Sequence, residues 1–316
     1  MLNLLWRGAP GFEPRIDLAG WAPPPDAIWL DFLNPTREEE LAVEAALGLE
    51  LPTPEEMAKI EPSSRLYQES GATFMTATLL ARAEAGPAGV PVTFVLAKGL
   101  LITLRYDDLR AFSVFAERAP GQGVASGVSA LFGLLDAVIE RLAAILEETG
   151  ESVEAASAAI FRRPKGQQFE ALLTDLARAQ SMTSLIRGSL VSLARLFSFA
   201  ALAPEIIADA ECSAHLKSLQ RDGQSLTEHA GFHTSQITFL LDAALGLINI
   251  EQNGIIKFFS VAAVIFMPPT LVASIYGMNF HHMPELDWRF GYPMALGVMA
   301  VSVIAPLLWF RRRGWF

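Results

Sequence analysis

Two uncharged runs, Phe258 to Met278 and Phe290 to Phe310, lie close together near the C-terminal end of this chain. Each holds about 20 residues, which as a helix rising 1.5 Å per residue spans roughly the 30 Å hydrocarbon core of a bilayer. The sequence therefore predicts a membrane protein held by a pair of helices. About 250 residues precede the first run, enough for soluble domains with a core of their own. The formal charge of −10 argues against nucleic acid as a partner and does not oppose the approach of cations. Met1 to Pro10 shows no basic segment followed by an apolar one, so no signal peptide is expected. The single cysteine, Cys212, excludes an internal disulfide and a cysteine zinc cage.

Charge sets the expected topology. Lys257 precedes the first run, Arg311, Arg312 and Arg313 follow the second, and the segment between them carries Glu285, Asp287 and only Arg289. The positive-inside rule puts both termini in the cytoplasm and the short loop outside, which in a bacterial cell means a multi-pass inner-membrane protein.

The N-terminal part reads as mixed α and β. Ile28 to Phe32 suggests a strand. Thr36-Arg37-Glu38-Glu39 is a capping box opening a helix to about Leu47, and Thr53-Pro54-Glu55-Glu56 repeats the signal with proline at the first helical position. Thr73 to Leu80, Val92 to Leu96 and Leu101 to Arg105 are β-rich, the last two joined at Lys98-Gly99 as an antiparallel hairpin. Arg118 to Gly123 reads as a loop. Helical spacing then takes over from Ser126 to Phe161 through Leu131, Leu134, Leu135, Val138, Leu142 and Ile145. Arg162 to Gly166 breaks it, a second helix runs from about Gln167 to Phe199, and Pro204 punctuates again. A third helix is expected from about Ala208 straight into the first run, with an apolar stripe of Ile237, Leu241, Ala244 and Ile248 that calls for partners, most simply copies of the same chain. No phosphate-cradling, dinucleotide or zinc-protease pattern is present, so no enzyme and no catalytic cofactor are expected.

The expected class is α+β: a cytoplasmic α/β domain at 1–123, long antiparallel helices at 124–207 and a stalk helix at 208–257. A first membrane helix at 258–279, an external loop at 280–289, a second membrane helix at 290–310 and a basic tail at 311–316 complete it.

The first run carries a pattern of its own. Asn253, Ile256, Ser260, Ala263, Met267, Thr270 and Ser274 step by three and four and so share one helical face, small and polar for a membrane helix. Such a stripe should avoid lipid. It is either a close contact between helices or the lining of a pore at the axis of an oligomer. It contains no carboxylate. As a pore it would offer a cation only neutral hydroxyls, amides and carbonyls, which suit an ion that passes with its water shell intact. Pro268-Pro269 should free backbone carbonyls toward the lumen, and Gly277 should let the chain turn so that Asn279 presents an amide oxygen.

The stretch Phe266-Met267-Pro268-Pro269-Thr270 through Tyr276-Gly277-Met278-Asn279-Phe280, followed by Met283-Pro284-Glu285-Leu286, closely resembles the CorA family of divalent-cation channels. The resemblance is close over the C-terminal third and looser elsewhere. It implies a homopentamer that passes hydrated Mg2+, with Co2+ and Ni2+ also admitted, driven by the membrane potential, with Mg2+ as cargo and as a candidate regulatory ion. Within the motif Gly277-Met278-Asn279, Asn279 falls on the selectivity ring. Thr270, Met267 and Asn253 fall on pore-facing positions, Ile256 and Phe259 near a hydrophobic gate, and Glu285 on a loop acid that gathers cations. Arg311, Arg312 and Arg313 resemble a basic collar. The stalk departs from the family pattern. Ser218 and Arg221 occupy the positions of two regulatory acids, leaving Asp222 and Glu228 as the nearest substitutes. His281-His282 is not expected to ligate metal without support. The competing expectations are the related zinc-transporting branch and a cytoplasmic regulator merely anchored by the two helices.

Overall fold

The order of elements in the computed structural model is β1 (Leu2–Trp6), β2 (Glu13–Pro14), β3 (Ala27–Leu33), α1 (Arg37–Leu47), α2 (Pro54–Ala58), β4 (Leu66–Glu69), β5 (Ala72–Ala83), β6 (Gly86–Ala97), β7 (Leu100–Arg105), α3 (Arg110–Arg118), α4 (Gly127–Phe161), α5 (Phe169–Ala200), α6 (Pro204–Ile207), α7 (Ala210–Tyr276) and α8 (Gly291–Arg312). The structure describes residues 2–6, 13–14, 22–59, 61–83, 86–162, 169–278, 281, 283–285 and 287–314, with backbone only at 13, 14, 62 and 83. The expected break at 163–166 and the expected helix start at Gln167 lie outside these, as do Asn279 and His282. The chain divides into two units, Met1–Leu241 and Asp242–Phe316, and α7 contributes to both.

In the first unit the strands form one sheet in the order β2-β1-β3-β7-β6-β5-β4. Every neighbouring pair is antiparallel except β3 and β7, which run parallel. Side chains alternate across the sheet, as a period of two requires. Leu30, Phe32, Phe74, Val95, Ile102 and Leu104 share a core with Val43 and Leu47 of α1 and Met57 of α2. Trp29, Met75, Phe94, Leu96 and Leu101 face the other way, into a core with α3, α4 and α5 and with Leu216, Leu219 and Ala230 of α7. The sheet is thus a middle layer with helices on both faces.

Both capping boxes form: Thr36 Oγ1 accepts from the Glu39 amide and Thr53 Oγ1 from the Glu56 amide, each at 3.3 Å. The β6–β7 hairpin turns at Lys98 and Gly99, both with positive φ. The segment expected as a loop is instead one turn of 3-10 helix, Ala119–Gln122, with Ala119 buried and Gly123 closing it at φ 66°. Cys212 is a partly buried thiol that donates to Asp209 at 3.4 Å, and burial first, then Asp209, push its pKa up. That describes an unreactive cysteine.

The sheet's interior holds one buried charged network. Thr103 pairs with Asp31 across β3–β7, and Arg105 follows two residues along β7 on the same face. Arg105 grips the Asp31 carboxylate at both oxygens, through Nη2 at 2.8 Å and Nε at 3.1 Å. Thr103 Oγ1 donates to Asp31 at 2.8 Å and accepts from Trp29 Nε1 at 2.9 Å. The Arg105 guanidinium lies 4.6 Å from the centre of the Phe112 ring, tying α3 to the network.

The first residue of α4 sits against the hairpin. The Gly127 amide donates to Gly99 O at 2.8 Å, and a β-carbon at Gly127 would run into the backbone of Gly99, Leu100 and Leu101. Gly127→Ala should therefore lower stability by about 1–3 kcal/mol through overpacking. Gly121→Ala, which meets open space, should not. Thermal unfolding of the two purified variants beside the parent measures the difference.

Candidate ion pathway

The second unit contains the later part of α7 and all of α8. Both helices are long and apolar enough to cross a membrane, and their apolar residues lie largely exposed: Phe258, Phe259, Phe266, Leu271, Val301 and Leu308 are examples. In water such a surface would be strongly unfavourable; in lipid it costs nothing.

The stripe is on a free face of α7. Asn253, Ile256, Ser260, Ala263, Met267, Thr270 and Ser274 are all exposed. From Phe258 to Tyr276 the less exposed positions are Val261, Ala262, Ile265, Pro268, Pro269, Val272 and Tyr276. At about 100° per residue these centre roughly opposite the stripe. Tyr276 and Ala273 line a cavity of about 440 Å3 together with Tyr292, Ala295 and Met299 of α8. Hence α8 packs toward the side away from the polar face and leaves that face uncovered. Ala263, Met267, Thr270 and Ser274 there border a shallow groove of about 460 Å3. Phe259, expected near a gate, is also exposed.

Thr270 spends its hydroxyl proton on its own helix, donating to Phe266 O at 2.7 Å. Its oxygen lone pairs remain available as acceptors. The acceptors that Pro268 and Pro269 leave without helical donors belong to Val264 and Ile265. Neither residue is on the stripe, so the expectation of freed carbonyls along that face is corrected by the helical phase.

Helix α7 ends at Tyr276. The Gly277 amide donates to Ala273 O at 2.9 Å and the Met278 amide to Ile275 O at 3.3 Å. Gly277 does not adopt positive φ. What the glycine provides is room: a β-carbon would stand 3.0 Å from Ala273 O. Asn279 follows beyond the described residues. Farther on, Glu285 is exposed and its carbonyl accepts from the Trp288 amide at 3.4 Å. A β-carbon on Gly291 would collide with that same carbonyl. The Glu285 turn is therefore seated on the first residue of α8. Gly291→Ala should displace it and lower stability by about 1–3 kcal/mol through overpacking; thermal unfolding of the purified variant beside the parent measures this.

Arg311 and Arg312 occupy the last turn of α8, where cations suit the negative end of the helix, and Arg313 lies over the Trp309 ring at 5.1 Å. Asp222 and Glu228 are both exposed on α7. Six residues apart, they project about 120° from one another around the helix and are not brought together within one chain. The Glu228 carboxylate accepts from Gln224 at 3.1 Å. Ser218 and Arg221 are likewise exposed. Among the described residues no three His, Cys, Asp or Glu side chains cluster as a metal cage, and His281 stands exposed on the loop. Sequence reading missed Tyr276, Trp288 and Tyr292, which gather around the cavity between the two helices; aromatic residues near the ends of membrane runs were the available signal.

The family model described as CorA-like Mg2+ transporter protein matches residues 25–312. A magnesium transport protein CorA of Pasteurella multocida is 37% identical over 292 residues, covering 92% of each chain. One from Escherichia coli K12 is 35% identical over 304 residues, covering 95% of this chain and 96% of the relative. Among solved structures, the CorA magnesium transporter of Methanocaldococcus jannaschii superposes with a TM-score of 0.75 at 18% identity, over 100% of this chain and 99% of that one. With the two apolar helices, the α/β unit and the match along nearly the whole chain in agreement, this protein belongs to the CorA-like Mg2+ transporter family.

Proposed function

We propose that the chain is a membrane channel for hydrated Mg2+, built by five copies whose α7 helices surround a common axis. The observation that carries this reading is the polar stripe from Asn253 to Ser274, left open on the side of α7 opposite α8. A simple anchor has no use for such a face, and lipid is a poor solvent for it. Turned inward in a ring, the same face offers acceptor oxygens to a hydrated cation without a charge that would hold it. Asn279 forms the selectivity ring beside Gly277 and Met278, Glu285 gathers cations at the mouth, and Ile256 and Phe259 narrow the other end. Arg311 to Arg313 face the cytoplasm with the first unit. Co2+ and Ni2+ share the octahedral hydrated form and enter by the same route.

The driving force is the membrane potential. A divalent ion gains about 4.6 kcal/mol over 100 mV, twice the single-charge value, which sustains more than about a thousandfold accumulation. Uptake into proteoliposomes should require an inside-negative potential, need no nucleotide, and be blocked by hexammine cobalt, an inert mimic of the hydrated ion. Persistence of uptake after the potential is collapsed at equal concentrations would refute this reading, as would zinc outpacing magnesium or a monomeric mass in detergent.

The stalk predicts a weak metal sensor. A carboxylate pair facing across subunits repels itself until a divalent ion relieves it, and the ion then selects the closed form. With Ser218 and Arg221 in place of two acids, only Asp222 or Glu228 remains, and the differential affinity shrinks. Millimolar magnesium should protect α7 from proteolysis only weakly. Strong protection abolished by Asp222→Ala would overturn this.

A further inference from the structure

His233 lies in the part of α7 that belongs to the first unit, and only 7% of its surface is exposed. Gly150 of α4 faces it. A β-carbon at position 150 would stand 2.8 Å from Cε1 and 3.0 Å from Nε2 of the ring, so any other residue there would press on the imidazole. The seat fits a ring and little else. Inside it, Nδ1 has no hydrogen-bond partner.

The surroundings disfavour a charge on this ring. His229, one turn earlier on α7, holds its own ring 4.9 Å away, centre to centre, and Phe232 lies at 6.0 Å. Burial, then His229, lower the proton affinity of His233 below that of a free histidine. Gln236 on the same helix and Glu154 on α4 act in the opposite direction and do not reverse the balance. A proton placed on Nδ1 would create a buried N–H with no acceptor. Water becomes available to it only if α7 moves off α4.

We infer that this seat is a proton-operated latch on the α4–α7 seam: α7 stays against α4 while the His233 ring is neutral and is released when the ring takes up a proton. The sign follows from linkage. The proton affinity is lower in the closed seam than in the open one, so the latch is fully effective above about pH 6.5 and weakens as pH falls toward the lowered value. Within that window closure is lost by up to about tenfold per pH unit. Because α7 continues without a break into the polar stripe, acid on this side would loosen the helix that lines the proposed pathway. This last step rests on the transport reading, whereas the latch itself does not.

The test is amide hydrogen exchange on the full chain in detergent, at pH 7.5, 6.5 and 5.5, corrected for the intrinsic pH dependence of exchange. Protection over residues 226–240 should differ by no more than about twofold between pH 7.5 and 6.5 and fall by up to about tenfold at pH 5.5. His233→Phe keeps a ring that cannot take a proton, and His233→Gln is carried beside it as a smaller neutral side chain. Whichever of these remains folded should show a change of less than about twofold. Glu154→Gln, which removes the one carboxylate acting on the ring, should move the loss to lower pH. Protection in the parent that is flat across the range, an equal loss in the neutral variants, or an upward or absent shift in Glu154→Gln would each overturn the latch. Exchange is read without any flux, so failure of the latch and failure of the transport reading are separate results.

Discussion

Asn279→Ala is expected to reduce selective magnesium uptake to background while leaving the oligomer intact. An asparagine amide offers an uncharged oxygen that can accept from the waters of a hydrated ion, and alanine offers none. The net worth of one such hydrogen bond is about 0.5–1.5 kcal/mol. A ring of five would forfeit about 2.5–7.5 kcal/mol, or roughly two to five powers of ten in selectivity. Asn279 follows the last residue of α7 by three positions and the change removes only an amide group, so the mass in detergent and the melting temperature should not change. Magnesium flux at the parent rate, with monovalent ions still excluded, would remove Asn279 from the pathway.

Asp31→Ala should lower the stability of the first unit by about 3–5 kcal/mol. Both partners of the Asp31–Arg105 pair have side chains only 5% exposed. Removing the carboxylate leaves a guanidinium charge inside the sheet, with Asp107 O and the exposed Asp108 as its remaining partners at 3.1 and 3.2 Å. It also deprives Thr103 of its acceptor. Set against a typical total of about 5–15 kcal/mol, the loss removes a large share of the stability of this unit. Asp31→Ala combined with Arg105→Met should recover much of it, because the double change removes both charges. Thermal unfolding of the parent, both single variants and the double variant gives the coupling directly. A single variant within about 1 kcal/mol of the parent would mean that water reaches Arg105 despite its burial.

Local chemistry explains what the sequence revealed of the fold. Thr36 and Thr53 carry their helix starts within four residues, Lys98-Gly99 carries its hairpin in two, and the apolar spacing of α4 repeats over many turns. The parallel pairing of β3 with β7 was not legible, because its partners are about 70 residues apart and no short-range signal marks them. Helix α3 also escaped: Leu109 at its N-cap makes no side-chain cap, so it has no start signal. Strand β1 pairs with β3 about 25 residues on, β4 is only four residues long and turns into β5 at Ser70 and Gly71, and Arg105 read only as the end of a strand although it anchors the buried network. In the second unit the stripe was visible as a period of three and four. Which face of α7 would meet α8 was not, since Val261, Ile265 and Val272 look no different from lipid-facing residues until the partner is in place.

The order of the two units along the chain has a consequence for biogenesis. Residues Met1–Leu241 leave the ribosome first, and at about 5–20 residues per second their synthesis takes roughly 12–50 s. A mixed α/β domain closes its sheet in far less time than that. Once β7 has emerged, β3 can pair with it, and α4 and α5 can dock while the apolar helices are still untranslated. Helix α7 would then be extended from a folded seat at Leu216, Leu219 and Ala230 rather than assembled freely. The membrane-insertion machinery would receive a helix already anchored at one end, so a slowly folding variant of the sheet would show its defect first as failed insertion.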